Sequence, residues 1–216
     1  MEYYIYGFII LLCIILFYLL YFNKSHQDIC NDIYNQTSLY TKYSILKKVL
    51  TKEECNSIIQ ESERYGEKYG WTTKRHDDYP TTDNQITKSW KCYPFLKKII
   101  VTKIFPNLSK IFQLNQNKLL INEIFIAKYD GDDIKAQHSL DYHVDGCEFS
   151  FIITLNDNYT GGGTHFKKKN EYIHLNTGDI VIFCGQTKHA GLPVTHGTRY
   201  ILPGFIYYGK CKQQEE

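Results

Sequence analysis

The sequence has little excess of charge of either sign. Its 25 lysines and arginines nearly balance 23 aspartates and glutamates, which leaves a net charge of +2 over 216 residues. A nucleic-acid groove needs a strong, clustered positive field, so this composition argues against nucleic acid as a partner. The basic residues are scattered, except for the run Lys167, Lys168 and Lys169. We expect that run at a solvated hairpin tip.

Two motif classes are also absent. The seven cysteines include no pair separated by two residues, which argues against the paired thiolate ligands of a zinc ribbon. Because seven is an odd number, the sequence leaves the disulfide state open. The glycine run at 161–163 lacks the Gly-Lys-Ser/Thr that completes a phosphate-binding loop, and we interpret it as a tight turn between strands.

The N-terminus contains a long apolar run. Residues 3–22 carry no charge and end in aromatic residues on both sides; as a helix they would cross about 30 Å of hydrocarbon. A cleaved signal peptide is the alternative, but Glu2 replaces a basic start and no small-residue cleavage site follows. We therefore predict a single-pass membrane anchor at 1–24 and a linker at 25–43. Lys24 favours a cytoplasmic catalytic domain, although the side of the membrane stays open.

Periodicity predicts the fold of the rest of the chain. A capping box at Thr51 and Glu54 begins a helix that ends at Gly66 or Gly70, and a long loop covers 71–86. A second helical region, 93–112, is interrupted near Pro106. Beyond it the apolar pattern changes to the two-residue period of strands. Eight strand candidates follow, at 121–130, 141–145, 148–156, 161–166, 171–176, 178–183, 188–194 and 199–208.

Eight short strands preceded by two helical regions indicate a mainly β fold with flanking helices. We predict a double-stranded β-helix, or jelly roll, over 44–210, with a polar tail at 211–216. Four apolar strand residues are expected to keep bulk water away from a site in this barrel: Phe149, Phe151, Ile180 and Ile182.

Metal-capable residues occur at the ends of these strands. His143 and Asp145 stand one residue apart at the end of one strand, and His189 follows another. Two imidazoles and one carboxylate leave three coordination positions open, the arrangement that suits non-haem Fe(II) in oxygenases. Arg199, on the last strand, offers a planar two-pronged donor for a carboxylate. Together these residues predict an iron site with an anionic co-substrate.

At these residues the chain resembles the 2-oxoglutarate- and Fe(II)-dependent dioxygenases, and within them the oxygenase domain of procollagen lysyl hydroxylases. The resemblance implies that His143, Asp145 and His189 bind iron and that Arg199 holds the distal carboxylate of 2-oxoglutarate. Tyr129 matches a tyrosine that lines the co-substrate pocket. O2 and ascorbate are the further cofactors it implies. The residues that carry the resemblance are His143 with Asp145, Gly161–Gly163 with Phe166, Gly178 with Asp179, and 189–201.

The resemblance also implies a protein or peptide substrate, which could be collagen-like, and leaves a homodimer open. Prolyl 4-hydroxylases are the next relatives, and they usually place a lysine where this chain has Arg199. The target therefore stays open between peptidyl lysine and peptidyl proline. Lysyl hydroxylases carry glycosyltransferase domains ahead of the oxygenase; only the predicted anchor precedes it here, so no sugar transfer is expected.

Two alternatives remain. The same fold could oxidise a nucleic acid or a small molecule, or the chain could be a non-catalytic, membrane-anchored binding domain of the cupin type. Cupins usually present His-x-His with a glutamate, whereas this chain has His-x-Asp with an arginine. Among the other histidines, His76 in the 71–86 loop is expected at the surface, with contact to a substrate as the alternative, and His165 is expected to be hydrogen-bonded or exposed rather than a ligand.

Overall fold

The structure is a computed structural model that describes residues 39–76 and 78–209. The predicted anchor at 1–24, most of the predicted linker and the polar tail lie outside these residues. Within the described ranges, no helix combines the length and the apolar character needed to cross a membrane.

The first long helix confirms the predicted capping box. Helix α1 spans Lys52–Tyr69 and ends at Gly70. The Thr51 hydroxyl accepts from the Glu54 N–H at 3.1 Å, and the Glu54 carboxylate accepts from the Thr51 N–H at 2.8 Å. Two backbone donors that a helix start leaves unpaired are thereby satisfied.

The second helical region is interrupted where proline predicts it. Helix α2 spans Tyr93–Ile99, a π-helical turn covers Ile100–Ile104, and helix α3 spans Phe105–Phe112. The Phe105 N–H donates to the Ile100 carbonyl, five residues back. This wider turn lets the chain pass Pro106, which has no N–H to continue the α-helical ladder. Short 3-10 helices occur at Leu39–Thr41 and Gln116–Lys118.

The described residues form twelve strands, and each of the eight predicted segments overlaps at least one. The strands are β1 Tyr43–Leu46, β2 Asp83–Gln85, β3 Leu119–Asp130, β4 Leu140–His143, β5 Phe149–Thr154, β6 Thr160–Gly161, β7 Thr164–Phe166, β8 Glu171–Ile173, β9 Ile180–Cys184, β10 His189–Gly191, β11 Val194–His196 and β12 Thr198–Tyr208. They form a six-stranded sheet in the order β1-β9-β5-β12-β3-β2, a four-stranded sheet in the order β4-β10-β7-β8 and the pair β11-β6. All the pairings are antiparallel.

Two strands lie where none was predicted. Strand β1 begins at Tyr43 and pairs with β9, and Leu39 and Tyr40 before it pack against the core. The domain therefore begins before residue 44. Strand β2 lies inside the predicted loop at 71–86 and forms the edge of the larger sheet.

The six-stranded sheet has a buried cluster on each face. On one face, the helices pack against the sheet through side chains such as Ile58, Leu96 and Leu108. On the other, residues of the larger sheet such as Val181 meet Phe166 of the four-stranded sheet. The second cluster therefore lies between the two sheets, and the candidate site is built beside it.

Candidate metal centre

Strand pairing brings the predicted metal ligands together. His143, the last residue of β4, is the direct cross-strand partner of His189, the first residue of β10. Their ring centroids are 4.2 Å apart, and Asp145 follows in the turn after β4. All three side chains are buried, and their candidate donor atoms lie within 4.8 Å of one another.

Backbone contacts orient both imidazoles. His143 Nδ1 lies 2.8 Å from the Asp141 carbonyl oxygen, and His189 Nδ1 lies 2.9 Å from that of Thr187. Because a carbonyl only accepts, each Nδ1 donates its proton to it, and in a neutral imidazole Nε2 is then the nitrogen whose lone pair can bind a metal. Burial, and then the neighbouring His189, lower the pKa of His143, which favours the neutral form that a metal needs.

The two oxygens of the Asp145 carboxylate have different neighbours. Its Oδ1 lies 3.5 Å from His143 Nε2, and its Oδ2 accepts a hydrogen bond from the Ser150 hydroxyl. The Asp145 N–H donates to the Gly185 carbonyl at 2.8 Å. A Cβ on Gly185 would lie 2.2 Å from the Cys147 carbonyl oxygen, so only glycine allows this close approach.

Arg199 and Tyr129 are cross-strand partners on β12 and β3. Arg199 is only 3% exposed, and its Nη1 donates to the Gly163 carbonyl at 3.1 Å. Its Nε is buried without a hydrogen-bond partner, and no carboxylate among residues 39–76 and 78–209 forms an ion pair with it. A buried guanidinium in this state needs an anion, because an uncompensated buried charge is strongly unfavourable.

The turn that receives Arg199 depends on glycine, as predicted. Gly161, Gly162 and Gly163 have φ angles of +78°, +68° and +101°, a region that other residues rarely adopt. A Cβ on Gly162 would also lie 3.2 Å from Arg199 Cδ. The turn between β6 and β7 thus shapes the floor beneath the guanidinium.

One cavity of about 430 Å³ contains the metal-capable cluster, Arg199 and Tyr129. Its volume lies within the range of small-molecule sites, roughly 300–1,000 Å³. Burial raises the pKa of Tyr129 to about 12, so the phenol stays protonated and can donate. Most of the remaining wall is apolar, from Phe125, Leu140, Val144, Phe151, Ile152, Ile201, Pro203 and Phe205.

Residues 71–76 and 78–86, called the strap below, form part of this cavity. Arg75 anchors it, with Nε 2.5 Å from the buried Asp83 carboxylate and a second ion pair to Glu123. His76 beside it packs against Phe125, with ring centroids 5.1 Å apart. The strap contributes four side chains to the cavity: His76, Asp78, Tyr79 and Thr81. His76 is therefore partly exposed and lines the cavity, which agrees with the alternative left open for it, because the anchored strap turns it inward.

The apolar residues that border the site also differ from those predicted to keep bulk water away from it. Phe149, Phe151, Ile180 and Ile182 all belong to the cluster packed against the helices, and of these only Phe151 also lines the cavity. Residues of the opposite strand phase face the space between the sheets, among them Ile152, Val181 and Phe183. Side chains of a strand alternate between its faces, so the prediction was one residue out of phase.

Ser150 is a site residue that the sequence interpretation missed. It is 1% exposed and lines the cavity beside Asp145. The signal was present, because Ser150 is the only polar residue between Phe149 and Ile153 in an otherwise apolar run.

The sequence has curated relatives. Over 173 residues, which cover 73% of this chain and 23% of the relative, it is 30% identical to procollagen-lysine,2-oxoglutarate 5-dioxygenase 1 of Rattus norvegicus. The chain thus spans about a quarter of the length of the curated relatives that it matches. A scan against protein-family models finds no match.

Solved structures share the fold. A prolyl-4-hydroxylase of Pseudomonas putida superposes with a TM-score of 0.62 at 16% identity, over 85% of this chain and 99% of that one. The viral collagen prolyl hydroxylase of Paramecium bursaria Chlorella virus-1, in a 2-oxoglutarate complex, gives 0.60 at 19% identity, over 78% and 97%. These likenesses confirm the predicted jelly roll with flanking helices.

Proposed function

We propose that the chain is a peptidyl hydroxylase of the 2-oxoglutarate- and Fe(II)-dependent dioxygenase kind. One observation carries the proposal. Arg199, a buried guanidinium with no carboxylate partner among the described residues, shares a cavity with three buried metal-capable side chains. A dicarboxylic co-substrate that reaches from an ion to this arginine fits both features.

The donor set fits Fe(II). His143, Asp145 and His189 offer two neutral imidazole nitrogens and one carboxylate oxygen, and they leave three of six positions open. When bound, Fe(II) with 2-oxoglutarate and O2 supplies an oxidative decarboxylation that releases succinate and CO2 and hydroxylates a C–H bond. Ascorbate is the reductant that we propose for keeping the metal as Fe(II).

The remaining residues of the cavity bind, orient and exclude water. Arg199 and the protonated Tyr129 donate to the distal carboxylate of the co-substrate. Gly163 fixes the guanidinium through its carbonyl oxygen at 3.1 Å. Phe125 and Ile201 on the apolar wall lower the local polarity, which strengthens the ionic contact to Arg199.

The names of the relatives support a peptide substrate. The curated relative is named for procollagen lysine, and the viral structure for collagen proline. We propose that a lysine or proline side chain of a collagen-like peptide enters beneath the strap, past Tyr79 and Asp78, which line the cavity. Tyr79 packs on His143, with ring centroids 5.2 Å apart, so it stands beside the reaction centre.

Collagen-like peptides are expected to stimulate succinate release and to gain one oxygen atom. The protein would be incubated with Fe(II), 2-oxoglutarate and ascorbate, and two matched peptides would differ only in whether lysine or proline can be modified. Mass spectrometry then identifies the hydroxylated residue. Omitting 2-oxoglutarate is the control. Succinate release stimulated by a nucleic acid or a small molecule, and by neither peptide, would instead support the same fold with another substrate.

We further propose that residues 1–24 hold the catalytic domain to a membrane. Twenty uncharged residues are retained by hydrophobic transfer rather than by charge, so the protein should stay in the membrane fraction after high-salt and carbonate washes. Deleting 1–24 should move it to the soluble fraction. If N-terminal sequencing of the mature protein instead begins near Asn23, the segment is a signal peptide.

A further inference from the structure

Ser150 is a buried polar residue inside an apolar strand. It lies on β5, and its hydroxyl lines the cavity at the carboxylate of Asp145. The rest of that strand from Phe149 to Ile153 is apolar. Burying a hydroxyl is unfavourable unless it is hydrogen-bonded. The acceptor of the Ser150 proton therefore sets the orientation of this hydroxyl.

Hydrogen-bond accounting assigns that proton to Asp145. An ionised carboxylate only accepts, so the Ser150 hydroxyl donates to Asp145 Oδ2. The neighbouring Cys147 thiol has its own acceptor, the Phe149 carbonyl at 3.2 Å. The contact of 3.3 Å between Cys147 Sγ and Ser150 Oγ therefore does not compete for the serine proton.

We infer that Ser150 is a positioning residue that makes Asp145 a ligand through one oxygen only. The inference rests on the proposed function. Oδ2 is tied back to Ser150, whereas Oδ1 lies 3.5 Å from His143 Nε2 and faces the other ligands. A carboxylate bound through both oxygens would occupy a fourth coordination position, and 2-oxoglutarate with O2 needs three open ones. Ser150 thus keeps the third position open.

The test compares Ser150→Ala with Ser150→Thr in the full chain, loaded with Co(II) as a spectroscopic substitute for iron. Losing a hydrogen-bond partner of a metal ligand weakens metal affinity or activity by roughly 10–100-fold. Ser150→Ala is expected to show such a loss of Co(II) affinity and an altered visible absorption spectrum. Ser150→Thr keeps the hydroxyl and should restore both. Thr154→Val, at the other end of β5 and outside the cavity lining, is the matched control.

The outcomes separate this inference from the proposed function. If the unmodified protein binds no Co(II), or if His189→Ala binds it equally well, the proposed metal site is wrong. If the site binds Co(II) but Ser150→Ala matches the unmodified protein in affinity and spectrum, the positioning role is wrong. Should Ser150→Ala fail to fold, Ser150→Cys replaces it, because a thiol is a weaker donor of similar shape. An unchanged spectrum in Ser150→Cys would then overturn the inference.

Discussion

Alanine in place of Asp145 is expected to abolish succinate formation and to leave the domain folded. The substitution removes the single carboxylate of the three-residue cluster and no apolar core volume. Removing one partner of a buried charged pair costs about 3–5 kcal/mol, so metal affinity should fall by roughly two to three decades or more, at about 1.4 kcal/mol per decade. The Ser150 hydroxyl loses its acceptor, which costs the fold about 1–3 kcal/mol.

Metal titration, succinate release and thermal unfolding of the purified variant measure these three effects separately. Asp157→Ala is the matched control, because Asp157 is an exposed carboxylate in the turn after β5 and lies outside the cavity lining. It should retain full metal affinity and full turnover. Normal succinate release by the Asp145 variant would contradict the metal assignment.

The sequence could identify the three candidate ligands, because each stands beside a strong local signal. His143 and Asp145 follow an apolar-polar alternation into a strand end, and His189 begins the strand after the apolar run 180–184. Their convergence depends on the register of β4 with β10, which no local pattern specifies. The backbone carbonyls that orient both imidazoles likewise could not be predicted from the sequence, because these contacts depend on the folded backbone.

The face that shields the site could not be predicted, for a different reason. All six residues of β5 and all five of β9 are buried. When both faces of a strand are buried, the apolar-polar alternation disappears, and with it the information on which side chains point to which face. Phe149 and Ile152 are equally apolar, yet one packs against helices and the other lies between the sheets.

Strand β2 was not predicted, because its residues have a low preference for strands. Asp83, Asn84 and Gln85 are not strand formers, and tertiary contacts override that preference. The Asp83 carboxylate is buried against Arg75, and the segment pairs with Phe125 to Ala127 of β3. The same contacts anchor the strap and place His76 in the cavity, so the sequence alone could not decide between the surface and the site for this residue.

Arg199→Ala is expected to weaken 2-oxoglutarate binding strongly and to leave iron binding nearly unchanged. Arg199 is 3% exposed, and its guanidinium keeps an Nε without a protein partner among the described residues. Truncating one partner of a buried, hydrogen-bonded charge pair costs roughly 2–5 kcal/mol, which corresponds to a loss of about thirty-fold or more. The metal site should be spared, because the guanidinium donates to Gly163 and to none of the three metal-capable side chains.

Three variants make the test specific for the geometry of the arginine. Arg199→Lys keeps the charge but loses the planar fork, so its affinity should fall between those of the alanine variant and the unmodified protein. Arg64→Ala, which removes the same side chain from the exposed surface of α1, should change nothing. Titrating 2-oxoglutarate into the iron-loaded proteins and following the visible absorbance of the complex measures all three affinities. Equal affinity in Arg199→Ala and the unmodified protein would mean that the co-substrate is held elsewhere, and the buried guanidinium would then need another anion.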